Sequence, residues 1–284
     1  MTPVQLAPGS QIGVYELESL LGTGAFGVVW LAHRSDTKER VAIKVLHPEA
    51  AVSHESVERF RREAWALSRL QSPHIARMYE FLTGPPFGMA LVMEYIEGEL
   101  LSDVLKRARF SVDDATGLGI GVLSGVAEMQ AIGIIHRDIK PENIILRPNE
   151  NGWHAVIFDF NLSRVKNPNG KMSSLTSVHA AIGTVPYMAP EQLLDARRVN
   201  EASDVYSVAT IMYRSVAGVL PFDTRESLRE KLQQEARPLP TGRDDEVAKG
   251  FERIEGKALR RRPAERHANA QEMLDELTGL VAGG

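Results

Sequence analysis

Apolar residues in this chain alternate in twos over its first third and recur in threes and fours over most of the remainder, and that change of period limits the folds open to it. Tyr15-Glu16-Leu17-Glu18, the run from Gly27 to Ala32 and the run from Val41 to Leu46 are short, β-rich and separated by glycine or charged turns. They predict an antiparallel start over residues 12–46. From residue 53 to 70 the period becomes helical: Val57, Phe60, Ala64, Leu67 and Leu70 share one face, with Ser53 or Ser56 as the N-cap. Two more short runs, 76–81 and 89–96, complete a sheet expected to have five strands and one helix, and Glu97-Gly98-Glu99 reads as a narrow connector. Beyond it the pattern is mostly helical, over 101–108 and 112–132. It returns to strand at 143–146 and 154–158 around the turn Asn151-Gly152, then resumes as helix at Glu191, Ala202, Arg225, Asp245 and Ala268. The polar stretch 160–184 is too long for an ordinary connection and reads as a functional loop. The expectation is an α+β chain in two parts: a small antiparallel sheet with its helix over 12–96 and a larger helical part over 97–280, with a leading extension, 1–11, and a short tail, 281–284.

Composition narrows what such a chain can do. Its 284 residues carry 33 basic and 37 acidic side chains, a formal charge of -4, so no broad positive field exists to gather nucleic acid or an anionic membrane surface. The absence of cysteine removes disulfides, thiolate nucleophiles and cysteine-ligated zinc together. The eight histidines are scattered without ligand spacing, which leaves a zinc or non-haem iron enzyme without support. The most apolar long stretch, 115–135, is interrupted by Glu128 and Gln130 and is rich in glycine, so it reads as a buried helix and no membrane span is expected. Residues 1–20 lack the basic start and apolar run of a signal peptide, and a cytoplasmic location is expected for the segment.

Four groups of residues carry chemistry. Gly22-Thr23-Gly24-Ala25-Phe26-Gly27 lets main-chain amides approach a phosphate, and strands rather than a helix come after it, which disfavours a dinucleotide fold; a glycine turn without a ligand remains the alternative. Lys44 ends an alternating run with apolar neighbours, and Glu63 sits at the edge of the buried helical face, where it either reaches a partner under the sheet or stays on the surface among Arg59, Arg61 and Arg62. The octapeptide His136-Arg137-Asp138-Ile139-Lys140-Pro141-Glu142-Asn143 suits phosphoryl transfer. There Asp138 can orient a hydroxyl proton, Lys140 can neutralise phosphate charge and Asn143 can offer an oxygen to a hard cation. Asp159, after the strand 154–158, supplies the carboxylate that Mg²⁺ requires.

In this order the motifs resemble those of a eukaryotic-type serine/threonine protein kinase domain, of the compact sort found in bacteria, over roughly residues 12–280. The resemblance implies the two-lobed kinase fold, with Leu21 to Val29 as the ATP-covering loop, Lys44 as the phosphate-binding lysine and Glu63 as its helix partner. Met93-Glu94-Tyr95-Ile96 resembles the hinge that binds the adenine edge, and Leu21, Val29, Ala42 and Ile145 fall where the family sandwiches the base. The serine/threonine assignment rests on Lys140 and on the string Gly183-Thr184-Val185-Pro186-Tyr187-Met188-Ala189-Pro190-Glu191. The resemblance further implies that Thr184 bridges Asp138 and Lys140, that Glu191 pairs with Arg266, and that Asp204 braces the catalytic loop. ATP, Mg²⁺ or Mn²⁺, and protein substrates are the implied cofactors and partners, and a second copy of the chain is a further candidate partner.

One departure stands out: the family's Asp-Phe-Gly reads Asp159-Phe160-Asn161 here. Asparagine tolerates φ > 0 better than most residues, so the metal carboxylate is expected to be kept. The same departure supports the alternative, a nucleotide-binding pseudokinase that serves as a scaffold. Arg137 beside Asp138 resembles the phosphate receptor of kinases switched by loop phosphorylation, with Thr176 first and Ser173, Ser174 and Ser177 next as the sites expected to be autophosphorylated. The alternative for these four hydroxyls is an ordinary solvated loop.

Overall fold

The computed structural model describes residues 6–24, 27–85, 87–150, 152–159, 185–222 and 227–283. They fall into two compact units, divided between Glu97 and Gly98.

The first unit is an antiparallel sheet with two helices. Its strands are β1 (Gln11–Ile12), β2 (Tyr15–Thr23), β3 (Gly27–Arg34), β4 (Arg40–Leu46), β5 (Met78–Gly84) and β6 (Gly88–Glu94), in the spatial order β1-β2-β3-β4-β6-β5. The sheet thus has six strands and not the five expected from the sequence. The sixth arises because Gly13, at φ 59, reverses the chain so that Gln11 and Ile12 pair with Glu16 and Tyr15. Two residues are too short to show a period, yet Ile12 is fully buried and anchors the strand. Period-2 alternation puts Val41, Ile43 and Val45 of β4 in a core with Tyr15, Leu17, Trp30 and Val92. Each such side chain contributes about 1.5–3 kcal/mol on burial.

Between β4 and β5 run α1 (Pro48–Ala51) and α2 (His54–Leu67). Ser53 caps α2, its side chain accepting from the Ser56 N–H, and the buried face carries Phe60, Glu63, Ala64, Ala66 and Leu67. Phe60 packs on Phe81 of β5 with ring centroids 6.0 Å apart. Glu63 is therefore part of the buried face and not a surface glutamate.

The second unit opens with β7 (Glu99–Leu100), α3 (Leu101–Arg107) and α4 (Val112–Ala131). Ser111 and Asp114 close a capping box at the start of α4. A tight 3-10 turn, Pro141–Asn143, leads into β8 (Ile144–Asn149) and β9 (Gly152–Ile157), which form a hairpin paired with β7. The remaining helices are α5 (Pro190–Leu194), α6 (Glu201–Ala217), α7 (Ser227–Gln233), α8 (Glu246–Ala258) and α9 (Ala270–Ala282). Helix α6 is buried along most of its length, and α4, α8 and α9 all pack against it. The long loop expected over 160–184 lies outside the described residues. Among the described residues no helix is long and apolar enough to cross a membrane.

One buried group works against this core. Glu255 of α8 is 1% exposed, its Oε1 has no hydrogen-bond partner among the described residues, and burial followed by the nearby Glu252 charge pushes its carboxyl well above the ordinary range. A carboxyl raised in the folded state is neutral at low pH and costs stability as pH rises through its folded pKa. Glu255→Gln should therefore stabilise the chain by about 1–3 kcal/mol at pH 8, with the gain shrinking towards pH 5. Urea denaturation at the two pH values reads the difference.

Candidate active site

In the sheet unit, antiparallel pairing sets which side chains share a face. Val29 is opposite Lys44, Leu31 is opposite Ala42, and Ala42 is opposite Met93, so Val29, Ala42, Lys44 and Met93 lie on one face while Val41, Ile43 and Val45 lie on the other. Lys44 Nζ donates to Glu63 Oε1 at 2.7 Å, with 13% and 6% of the two side chains exposed. The pairing brings together a strand lysine and a helix carboxylate nineteen positions apart in sequence. Ala42, Met93 and Ile96 are buried, while Leu21 is 46% exposed beside a bulge in β2. The Glu94 carboxylate accepts from the Arg77 N–H at 3.3 Å, and the Glu94 N–H donates back to the Arg77 carbonyl at 2.8 Å.

The three glycines of the 22–27 string are not equivalent. A methyl on Gly27 would overlap the Val45 carbonyl of β4, so strand packing demands glycine there. Among the described residues, Gly22 has no neighbour within 4 Å of such a methyl and Gly24 has only the Gly27 carbonyl at 3.7 Å. Room of this kind, free of described neighbours, is what a ligand passing close to the main chain requires. Ala25 and Phe26 lie outside the described residues.

In the helical unit the 136–143 segment is organised from below by α6. Asp204, fully buried, accepts the His136 N–H through Oδ2 at 2.9 Å and the Arg137 N–H through Oδ1 at 2.8 Å. Burial pushes the Asp204 carboxyl up to about 6, opposed by those same two N–H groups. His136 is also fully buried, and burial pushes its imidazole down to about 4, so it is neutral near pH 7. Its Nδ1 then accepts the Asp138 N–H at 3.3 Å. Arg137 takes φ 68, a left-handed conformation costly for a side chain of its size, and its carbonyl accepts from Gln192 Nε2 of α5 at 2.6 Å.

On this frame three predicted residues converge. Lys140 Nζ lies 3.0 Å from Asp138 Oδ2. Asn143 Nδ2 donates to the Asp138 carbonyl at 2.9 Å and to Asp138 Oδ2 at 3.3 Å. Burial raises the Asp138 carboxyl, Lys140 and Asn143 lower it, and the nearby charge of Asp159 raises it again. Because the amide nitrogen of Asn143 is committed to Asp138, Oδ1 is the atom it can offer a cation. Asp159, exposed and at φ 57, comes after β9. An amide oxygen and a carboxylate make an oxygen-only donor set, which fits a hard cation such as Mg²⁺. Ile145 is half-buried on β8, opposite Val156.

The expected Glu191–Arg266 contact is bidentate, 2.8 Å on each arm, and buried. Ser203 Oγ donates to Glu191 Oε1 at 2.7 Å, so the pair is fixed to α6 one residue before Asp204. Thr184, Asn161, Ser173, Ser174, Thr176 and Ser177 lie outside the described residues. Sequence reasoning assigned no role to Gln192 or Ser203. Each is a neighbour of a residue it did single out, Glu191 and Asp204, and that adjacency was the only signal in the sequence.

The protein kinase domain family model matches residues 15–277, and the chain belongs to that family. It is 33% identical to the serine/threonine-protein kinase pkn3 of Myxococcus xanthus over 273 residues, covering 94% of this chain and 50% of that protein. It is 34% identical to pkn2 of the same organism, covering 96% of this chain and 33% of pkn2. With PknA of Mycobacterium tuberculosis it shares 33% identity, covering 95% of this chain and 62% of PknA. The chain thus spans between a third and two thirds of the length of these relatives. The crystal structure of the Mycobacterium tuberculosis PknI kinase domain shares the fold, with a TM-score of 0.69 at 22% identity, covering 97% of this chain and all of that one.

Removing one partner of a buried pair strands the other charge, whereas a surface pair is replaced by water. Glu191→Ala should cost about 3–5 kcal/mol of stability by chemical denaturation. Asp103→Ala, which removes the partner of the 69% exposed Lys106 side chain, should cost less.

Proposed function

We propose that this chain transfers the γ-phosphoryl group of ATP to serine or threonine hydroxyls of protein acceptors. The observation that carries the reading is the convergence of Asp138, Lys140 and Asn143 on a loop held by the buried Asp204. Family membership and relatives named as serine/threonine-protein kinases support it.

On this reading Asp138 orients the acceptor hydroxyl and takes its proton through Oδ1, since Oδ2 is engaged by Lys140 and Asn143. The hydroxyl oxygen bonds to the γ-phosphorus as the bond from that phosphorus to the bridging oxygen breaks, and ADP leaves with that oxygen. Burial of Asp138 raises its basicity towards what a proton acceptor needs. Lys140, beside Asp138, balances charge on the migrating group. Lys44 binds ATP phosphate oxygens, and Glu63 holds its ammonium in place. The face carrying Val29, Ala42 and Met93 supplies apolar surface for the base, together with Leu21 and Ile145, and the main chain at Glu94 and Ile96 meets its edge. The main chain at Gly22 and Gly24 lies over the phosphates. Asn143 and Asp159 would hold Mg²⁺ or Mn²⁺, which when bound neutralises charge on the triphosphate. Autophosphorylation at Thr176, Ser173, Ser174 or Ser177, received by Arg137, belongs to the same reading.

Incubation with Mg²⁺ and γ-labelled ATP, beside Asp138→Asn, tests the proposal. Label on the wild-type chain or on an added basic protein, reduced at least a hundredfold in Asp138→Asn with ATP affinity kept, is expected. Equal labelling by both proteins contradicts the assignment of Asp138. No label from either, with ATP still raising the melting temperature, would make the chain a nucleotide-binding pseudokinase.

A further inference from the structure

Lys231 is a lysine on the short polar helix α7. It is 1% exposed. Its Nζ donates to the carbonyls of Val185 and Met188, each at 3.1 Å, and to that of Pro186. The rings of Tyr206 and Phe222 stand 5.3 and 6.0 Å from the ammonium. An ammonium has three N–H donors, and the chain supplies three acceptors. Burial pushes Lys231 down to about 7, and the carbonyl dipoles and ring faces act in the opposite sense, towards the charged form.

The fourth carbonyl of the stretch, that of Tyr187, accepts from Ser207 Oγ of α6 at 2.9 Å. Every carbonyl from 185 to 188 is therefore drawn to a side chain of α6 or α7. With the main chain fixed in this way, Val185, Pro186 and Met188 remain half-buried and form an apolar rim. A few residues on, Gln192 ties the same segment to the carbonyl of Arg137, next to Asp138. The segment is anchored at one end by Lys231 and at the other by the loop that carries Asp138.

We infer that Lys231 is a positioning residue for the protein acceptor: by clamping the carbonyls of 185, 186 and 188 it sets the place of the rim formed by Val185, Pro186 and Met188 relative to Asp138. The inference rests on the phosphotransfer reading above for what the rim meets. Lys231 acts through the main chain it binds, so its loss should weaken acceptor binding and leave ATP binding alone.

Two readouts on the full chain test this. The first needs no activity: amide hydrogen exchange over 185–192 should be about tenfold faster in Lys231→Met than in wild type, unchanged in α4, and largely restored in Lys231→Arg. Unchanged exchange over 185–192 overturns the inference, and so does protection lost equally from α4, which would make Lys231 a general core residue. The second is steady-state transfer to myelin basic protein, where the acceptor KM should rise about tenfold in Lys231→Met with the ATP KM within about twofold. An equal rise in both constants overturns it. Lys231→Gln, which keeps a donor, replaces Lys231→Met should the latter not fold, with the same pattern at smaller amplitude. A wild-type chain that transfers no phosphate counts against the proposed function, and the exchange result then decides the role of Lys231.

Discussion

Two main-chain N–H groups, those of His136 and Arg137, donate to the two oxygens of one buried carboxylate, Asp204, and the shape of the 136–143 segment depends on that contact. A buried carboxylate is tolerated only when its oxygens are satisfied, and main-chain donors satisfy them without competing side-chain freedom. The same contact presents Arg137 in a left-handed conformation that the surrounding structure must hold, and Gln192 supplies part of that hold. Asp138, Lys140 and Asn143 then meet because the chain turns tightly through Pro141–Asn143. The local chemistry is a consequence of where α6 places one side chain.

Helix α6 also fixes the segment on the far side. Ser203 holds Glu191, Arg266 completes the buried pair, Ser207 takes the Tyr187 carbonyl, and the Tyr206 ring lies under both Lys231 and Arg266. Consecutive turns of one helix thus reach the 136–143 segment, the 185–188 stretch and the Glu191–Arg266 pair. Perturbing any of the three should be felt at the others, because each is attached to a helix that is buried along most of its length. In the sheet unit the corresponding anchor is the short contact between Lys44 and Glu63, which needs both the alternation of β4 and the helical period of α2 to be in register.

How much of this could be read in the sequence depended on the range of the interactions. Alternation in β4 and the 3.6 period of α2 are local, and they put Lys44 and Glu63 on the correct elements. The sixth strand was missed because Gln11–Ile12 is too short to show a period and its pairing depends on a single positive φ at Gly13. The acidic and basic members of the 136–143 segment are legible as a motif, whereas the Glu191–Arg266 pair and Asp204 are legible only through the resemblance to the kinase family. Lys231 was not visible at all: nothing in a short polar helix says that its lysine turns inward to three carbonyls 43 to 46 positions away. The Gly22-to-Gly27 string looks uniform in sequence, and only the position of β4 separates Gly27, required by packing, from Gly22 and Gly24, which no described residue crowds in that way.

Asp204 imposes its geometry on a segment it does not join in sequence, and single-turnover phosphotransfer by Asp204→Asn, measured beside nucleotide affinity, probes that dependence with the fewest intervening steps. An asparagine offers one acceptor oxygen where two N–H groups need one each, and a displacement of about 1 Å at a reacting group can cost on the order of a hundredfold in rate. The expected result is a transfer rate reduced by about that factor, with the affinity for ATP unchanged. A variant that transfers phosphate at the wild-type rate would contradict it, since the loop would then hold its shape without the carboxylate from which the rest has been derived.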